Sequence, residues 1–351
     1  MRPDRAGSPF LVVGENIHTT RVLKLTGRHV SEMEDGTVGI AFEAADGSRD
    51  VLPVHPDVTA GRDFAAGRIK HVASAVRWGL DQGALADTAA AYVRAMAAKQ
   101  EAAGADWLDL NADEIAPDSE TRRRAMAWLV GVVEAAAAVP VAIDSSDVAV
   151  LAAGAAASTK PAGRLLLNSA SLDRPDVLDL AAASDCAVVL AASGRSGMPT
   201  DAEERVVNAS ALIGEAFARG IPSELLYVDP LVLPVAVEPA APGHVLEGAR
   251  RLRAEYGDTV HLIGGLSNVS FGLPERRLLN DVFIDLAAEA GIDGGIIDPV
   301  VSDLARVFSA DRDGEAYRLA ADLLLGRDPF GGSYVAAFRA GRLTADDTVA
   351  R

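Results

Sequence analysis

The chain has 351 residues, enough for one large domain or two ordinary ones. Its 33 basic and 50 acidic residues leave a net charge of −17. So acidic a surface repels phosphate backbones and anionic lipid, and the longest basic run, Arg122-Arg123-Arg124, falls on an expected helix. Nucleic acid and membrane are therefore set aside as partners. Hydrophobic residues make up 49% of the chain and aromatics only 5%, a composition of Ala, Val and Leu that suits closely packed helices and not disorder. The single cysteine, Cys186, leaves no disulfide framework, zinc–cysteine cluster or cysteine-held iron–sulfur centre. No apolar stretch reaches the roughly 18–20 residues of a membrane span, and the amino terminus lacks a signal-peptide core. The expected location is the cytoplasm.

Eight short apolar runs predict strands at 10–14, 106–110, 139–143, 164–167, 186–192, 225–228, 260–264 and 294–297. Segments 88–103, 119–138, 201–218, 244–256, 276–290 and 302–325 carry apolar residues at helical spacing. Gly104, Gly220, Gly257 and Gly291 follow four of them, as left-handed caps do. Strands alternating with helices imply parallel pairing, and eight such units imply an α/β fold, a single (β/α)8 TIM barrel over 1–351. A doubly wound sheet would place GxGxxG after its first strand, where this chain reads GENIHTT. The first connection is about 60 residues too long, which predicts an insertion at 21–83. In it, the turn pairs Asp35-Gly36 and Asp46-Gly47 predict a hairpin or meander, and 61–80 predicts a helix. Residues 306–351 supply a closing helix and a tail.

Nearly every apolar run ends in a carboxylate, amide or hydroxyl: Glu15, Asp109 with Asn111, Asp144, Asn168, Ser193, Asp229, Asn268 and Asp298. From Asn111 onward the steps between them are 24 to 39 residues, the length of one strand–helix unit. In a barrel these carboxyl ends share one rim, where the reactive loops gather. Asp and Asn are also ordinary turn formers and caps, which explains single positions better than the whole series. Other chemistries lack their signatures. There is no HxH or HExxH pair, so no metal is expected on this chain, and His18 alone of six histidines stands at a strand end. No GxSxG elbow appears, and no lysine ends a strand. What remains is a set of acids and amides suited to a neutral, nitrogen-rich ring. A carboxylate accepts two parallel N–H bonds from an amino-pyrimidinone edge, and an amide serves both donor and acceptor positions.

The stretches 108–111 (LDLN), 143–145 (IDS), 167–169 (LNS), 227–234 (YVDPLVLP) and 265–270 (GLSNVS), then Arg276 and Leu278-Leu279-Asn280, resemble a known family in order and spacing. They look like the pterin-binding methyltransferases that act between methyltetrahydrofolate and a corrinoid protein. These are dihydropteroate synthase-like TIM barrels, and the folate module of cobalamin-dependent methionine synthase is among them. The resemblance covers about 9–14 and 87–300. It implies that Asp144, Asn168 and Asp229 hold the amino-pyrimidine side of a pterin, with Asp109 and Asn111 lining the same pocket. Asn268 would stand beside N5, and Ser267 and Arg276 would support it. The implied catalytic group is Asn268, Asp229 and Asp144. The implied substrate is tetrahydrofolate or 5-methyltetrahydrofolate, in either direction of transfer. A corrinoid would be supplied by a separate protein, because the chain carries no DxHxxG motif and no spare domain. A homodimer is implied as well.

Two features depart from the family. Its first strand reads GERIN, whereas this chain keeps Glu15 but has Asn16 and His18 in place of the Arg and Asn. The long insertion is the second. Glu15, Asn16, His18 and Ser193 stay as rim residues without a fixed role. Arg21, Arg276 and Arg277 are expected at the mouth, facing an anionic folate tail, and a partly apolar rim made in part by the insertion is expected to meet the corrinoid protein. Dihydropteroate synthase is the nearest rival. That family places a Ser-Arg-Lys loop after strand seven and Arg-His near strand eight, where this chain reads Ser267-Asn268-Val269 and Asp298-Pro299-Val300. A catalytically silent pterin-binding or corrinoid-docking subunit is the other rival.

Overall fold

All eight expected runs form strands in the computed structural model, which describes residues 2–3, 7–161, 164–195 and 197–343. They are β1 (Pro9–His18), β2 (Trp107–Asn111), β3 (Val141–Asp144) and β4 (Leu166–Ala170). Then follow β5 (Ala187–Ala191), β6 (Leu226–Asp229), β7 (His261–Leu262) and β8 (Gly294–Ile297). Hydrogen bonds join them in chain order, and β8 pairs with β1, the strand topology of a (β/α)8 TIM barrel. Every residue of β5 is buried, as in a parallel strand covered on both faces. The chain divides into two compact units, Gly14–Asn168 and Met1–Val13 with Ser169–Arg351.

In Gly14–Asn168 the register of the parallel strands sets one row of side chains. Asn111 pairs with Asp144, and Asp144 pairs with Asn168. Helix Ser119–Glu134 starts at Asp118 and helix Val148–Ala157 at Asp147, each carboxylate accepting a backbone N–H of the first turn. The second of these helices, VAVLAAGAAA, has no counterpart among the expected segments, since it is apolar all round and shows no stripe. Helix His71–Asp81 runs close to Ser119–Glu134, because a Cβ on Gly79 would stand 2.2 Å from the Trp128 ring. Only glycine permits that approach.

The insertion contains the expected meander, three antiparallel strands at Val30–Glu32, Val38–Glu43 and Arg49–Pro53. Its two turns place Gly36 at φ 79° and Gly47 at φ 82°, and Asp35 and Asp46 accept from Thr37 and Ser48. The helix expected over 61–80 is shorter. Residues Arg62–Ala65 make one turn, Gly67 turns left-handed at φ 76°, and Arg68–Lys70 pairs antiparallel with Val22–Lys24 before the helix begins at His71. The glycine ends the turn, and the strand pairing takes up the backbone groups that a longer helix would have used.

In the second unit β5, β6 and β7 are paired in parallel, with Ala191 opposite Asp229 and Val228 opposite Leu262. The helices Asp176–Ser184, Ala202–Ala218, Ala241–Tyr256 and Arg276–Glu289 separate the strands. The expected helix 302–325 is two helices, Leu304–Phe308 and Glu315–Leu324. The break falls at Asp311-Arg312-Asp313-Gly314, where Asp311 accepts from the Asp313 N–H and Arg312 and Tyr317 both donate to the buried Asp285. Part of the expected tail, 344–351, lies outside the described residues.

Candidate active site

Three adjacent strands, β1, β2 and β3, bring three titratable groups together, His18 and Asp144 at strand ends and Asp109 from within β2. Asp109, fully buried, lies 2.5 Å from His18 Nε2 through Oδ2 and 3.5 Å from the Asn168 amide through Oδ1. Asp144 Oδ2 accepts from Asn111 Nδ2 at 3.0 Å and stands 3.9 Å from His18 Nε2. Asn111 in turn accepts the Asp113 N–H through Oδ1, which directs its NH2 toward Asp144. Burial opposes protonation of His18, but the hydrogen bond to Asp109 and the charges of Asp109, Asp144 and Glu15 outweigh it and raise the imidazole pKa. Burial and then the charge of Asp109 push the Asp144 carboxyl up to about 7, against the opposing pull of His18 and Asn111. One nitrogen of His18 and one oxygen from each carboxylate lie within 4.8 Å of one another, close enough to grip a small cation.

The edge of this cluster is braced. Arg21 donates from Nε to the Glu15 carbonyl and from Nη2 to the Glu15 carboxylate, both at 3.2 Å, and also to the Asn16 side chain. Arg21 is thus engaged with the rim residues Glu15 and Asn16. Gln100 accepts the Asn16 N–H at 3.0 Å, and a Cβ on Gly14 would fall 2.5 Å from that same oxygen. Asp113 braces this cluster and is missed by the strand-end pattern. Its carboxylate accepts from Ser145 Oγ at 2.5 Å and from Ser146 N and Oγ at 2.8 Å, fixing the loop after Asp144. Its place two residues beyond Asn111, itself two beyond Asp109, is the signal that could have found it.

In the second unit Asp229 and Asn268 meet through a pair of glycines. Asp229 Oδ1 accepts the Leu231 N–H at 2.7 Å, and the Gly265 N–H also serves the carboxylate. A Cβ on Gly264 would stand 3.2 Å from Asp229 Oδ1, and one on Gly265 only 2.7 Å from Asn268 Nδ2. Leu231 itself is held left-handed at φ 65°, a conformation a branched side chain rarely adopts. The fully buried Arg205 secures it, donating to the carbonyls of Pro199, Asp201 and Leu231. Burial pushes the Asp229 carboxyl up to about 6, while the Leu231 N–H, the Arg205 charge and the Gly265 N–H favour its charged form.

Asn268 is not a strand-end residue. β7 stops at Leu262, and Asn268 rides on the tight turn Leu266–Ser270 that follows the Gly264-Gly265 step. Ser267 is buried, and its carbonyl accepts from Arg276 Nη2 at 3.1 Å. Arg276 also donates to Ser270 Oγ at 3.0 Å and stacks over the Phe271 ring at 4.2 Å. Ser267 and Arg276 therefore brace the turn that presents Asn268. Glu15 likewise lies inside β1, and Ser193 lies two residues beyond β5, its N–H bonded to the Ala191 carbonyl. Five strongly exposed apolar side chains, Met198, Val237, Phe271, Val300 and Val301, sit in the loops after β5, β6, β7 and β8. The insertion adds only Val22 to the large apolar side chains exposed among the described residues.

Comparison with known proteins fits this arrangement. Residues 80–298 match the pterin binding enzyme family, well over half of the chain. A methylcorrinoid:tetrahydrofolate methyltransferase of Eubacterium limosum is 30% identical over 258 residues, 72% of this chain and 89% of that protein. A methionine synthase of Mycobacterium tuberculosis is 30% identical over 209 residues, 55% of this chain but only 17% of that much longer protein. Among solved structures, dihydropteroate synthase of Stenotrophomonas maltophilia superposes with a TM-score of 0.51 at 19% identity, covering 63% of this chain and 86% of the other. One of Xanthomonas albilineans with bound 4-aminobenzoic acid gives 0.51 at 24% identity, covering 64% and 86%. Those structures share the fold. By the match over 80–298, this chain belongs to the pterin-binding enzyme family.

Proposed function

We propose that the protein is a methyltransferase that moves a methyl group between N5 of tetrahydrofolate and the cobalt of a corrinoid carried by a separate protein. The observation that carries this reading is the likeness to methylcorrinoid:tetrahydrofolate methyltransferase along 89% of that relative. The row Asn111, Asp144 and Asn168 suits the donor and acceptor pattern of an amino-pyrimidinone ring, and Asp229 is assigned to the same substrate by the family resemblance. Asp109 supports that row from beneath, through Asn168.

Asn268 is assigned to N5. An amine carrying a methyl group leaves poorly until its nitrogen gains a proton or a strong hydrogen bond. When the methyl passes to cobalt, the C–N bond pair returns to N5, and an amide held beside that nitrogen stabilises the charge that changes there. Asp229 accepts the Gly265 N–H, the Gly265 carbonyl accepts the Asn268 N–H, and the Ser267–Arg276 brace holds the turn. In the reverse direction the same transition state serves, so the residues keep their roles. The exposed apolar loops after β5 to β8 supply the surface for the corrinoid protein, and a cytoplasmic homodimer completes the reading.

Titration with 5-methyltetrahydrofolate, tetrahydrofolate and a pterin diphosphate tests the assignment. Binding of both folates is expected. Tight binding of the diphosphate with no affinity for the folates favours the dihydropteroate synthase-like reading and defeats this one. Folate binding without methyl transfer defeats it in favour of a silent docking subunit.

A further inference from the structure

We propose that His18, Asp109 and Asp144 form a binding site for one divalent transition-metal cation, with the chemistry of Zn2+. The three ligands come from three adjacent strands, His18 and Asp144 as the last residues of β1 and β3 and Asp109 from the middle of β2. Their spacing suits a cation. His18 Nε2 is 2.5 Å from Asp109 Oδ2 and 3.9 Å from Asp144 Oδ2, and all three atoms lie within 4.8 Å of one another. A tetrahedral ion with bonds of about 2.0 Å needs ligand atoms about 3.3 Å apart. The His18–Asp109 contact opens by less than about 1 Å, and the His18–Asp144 distance closes by a similar amount.

Charge argues the same way. Two carboxylates lie here, one of them fully buried, with the His18 imidazole set against both. Buried carboxylates require a counter-charge. A dication with neutral imidazole balances them fully, the ion taking the place of the proton on Nε2, which passes to solvent. Partners behind the ligands are in position too. The Asn111 amide holds Asp144, Asp113 holds Asn111, and the Asn168 amide faces the Asp109 oxygen turned away from His18. An imidazole with two carboxylates favours zinc and its neighbours over Mg2+ or Ca2+, which require more oxygens. Three protein ligands leave a fourth position open to water or to a polar atom of a bound molecule.

This inference does not depend on the folate reading, because the ion is measured with no folate present. The full chain, stripped with chelator, is dialysed against ZnCl2 and its metal counted, then loaded with Co2+ for its visible spectrum. About one Zn2+ per chain and a Co2+ absorption band are expected, with affinity falling on the order of 100-fold in His18→Asn and in Asp144→Asn. Mg2+ in equal amount should not displace the Zn2+. Folding is followed by thermal melting, in which Zn2+ should raise the Tm of the wild type and leave that of His18→Asn where it was. No retained Zn2+ in the wild type overturns the proposal. So does equal Zn2+, or an equal rise in Tm, in the wild type and His18→Asn.

Discussion

The two clusters of acids and amides in this chain are built in opposite ways. Around Asp229 and Asn268 the positions are set by backbone: two glycines, a left-handed Leu231 and N–H groups aimed at a carboxylate. Around His18, Asp109 and Asp144 they are set by side chains meeting from three strands. A backbone-built site is compressed into a short motif and tolerates little substitution. A side-chain-built site changes one residue at a time without disturbing the fold, and this is where the chain departs from GERIN to GENIH.

That contrast breaks most visibly at Asn268. Asn268→Ala should lower kcat by roughly 100- to 1000-fold with a much smaller change in folate affinity, the loss typical of removing a donor aimed at developing charge. Steady-state kinetics decide it; equal losses in kcat and affinity would reduce Asn268 to a binding role. Gly265→Ala should approach this effect, about 100-fold in kcat, because the new methyl group must displace the Asn268 amide it meets at 2.7 Å. If Gly265→Ala is fully active, the backbone-built description is wrong.

Asp229 supplies a pH test of the same cluster. Its carboxyl titrates at about 6 in the folded chain, against about 4 unfolded, because burial favours the neutral form. The folded state therefore binds more protons between those values, so this stability is fully present below pH of about 4 and is lost as pH rises through about 6. Asp229→Asn should remove that slope, worth at most about 3 kcal/mol. Urea midpoints of variant and wild type at pH 4.5 and 7.5 measure it, and a constant difference between the two proteins would contradict the assignment.

The smallest expected effect lies on the rim. Val237→Asp, at a side chain 79% exposed, should raise the KM for the corrinoid protein about tenfold while leaving turnover with free cobalamin unchanged. Equal loss with both acceptors would remove this loop from the docking surface.

Much of the barrel and of its rim is legible in the amino-acid sequence. The spacing of Asn111, Asp144, Asn168 and Asp229 reports the repeat of a strand–helix unit, and the eight strands fall where the apolar runs place them. Asp109 and Asn111, two residues apart, do turn to the same cluster. Periodicity fails where the stripe is absent, as in Val148–Ala157, and where a left-handed glycine cuts it, as at Gly67. Arg276 shows another limit. A cation near a mouth invites a role in anion binding, yet its guanidinium is spent on Ser267, Ser270 and Phe271. The His18 cluster escapes the sequence for a simpler reason. Metal-site spacing rules look for ligands close in sequence, and these three are separated by 91 and 35 residues.

The central claim is tested most directly by one reaction, mixing the protein with 5-methyltetrahydrofolate and cobalamin reduced to Co(I) and following the visible spectrum. Methylcobalamin should form in step with tetrahydrofolate, one for one, and the rate should collapse in Asn268→Ala. No methylcobalamin from a protein that binds 5-methyltetrahydrofolate would contradict the account.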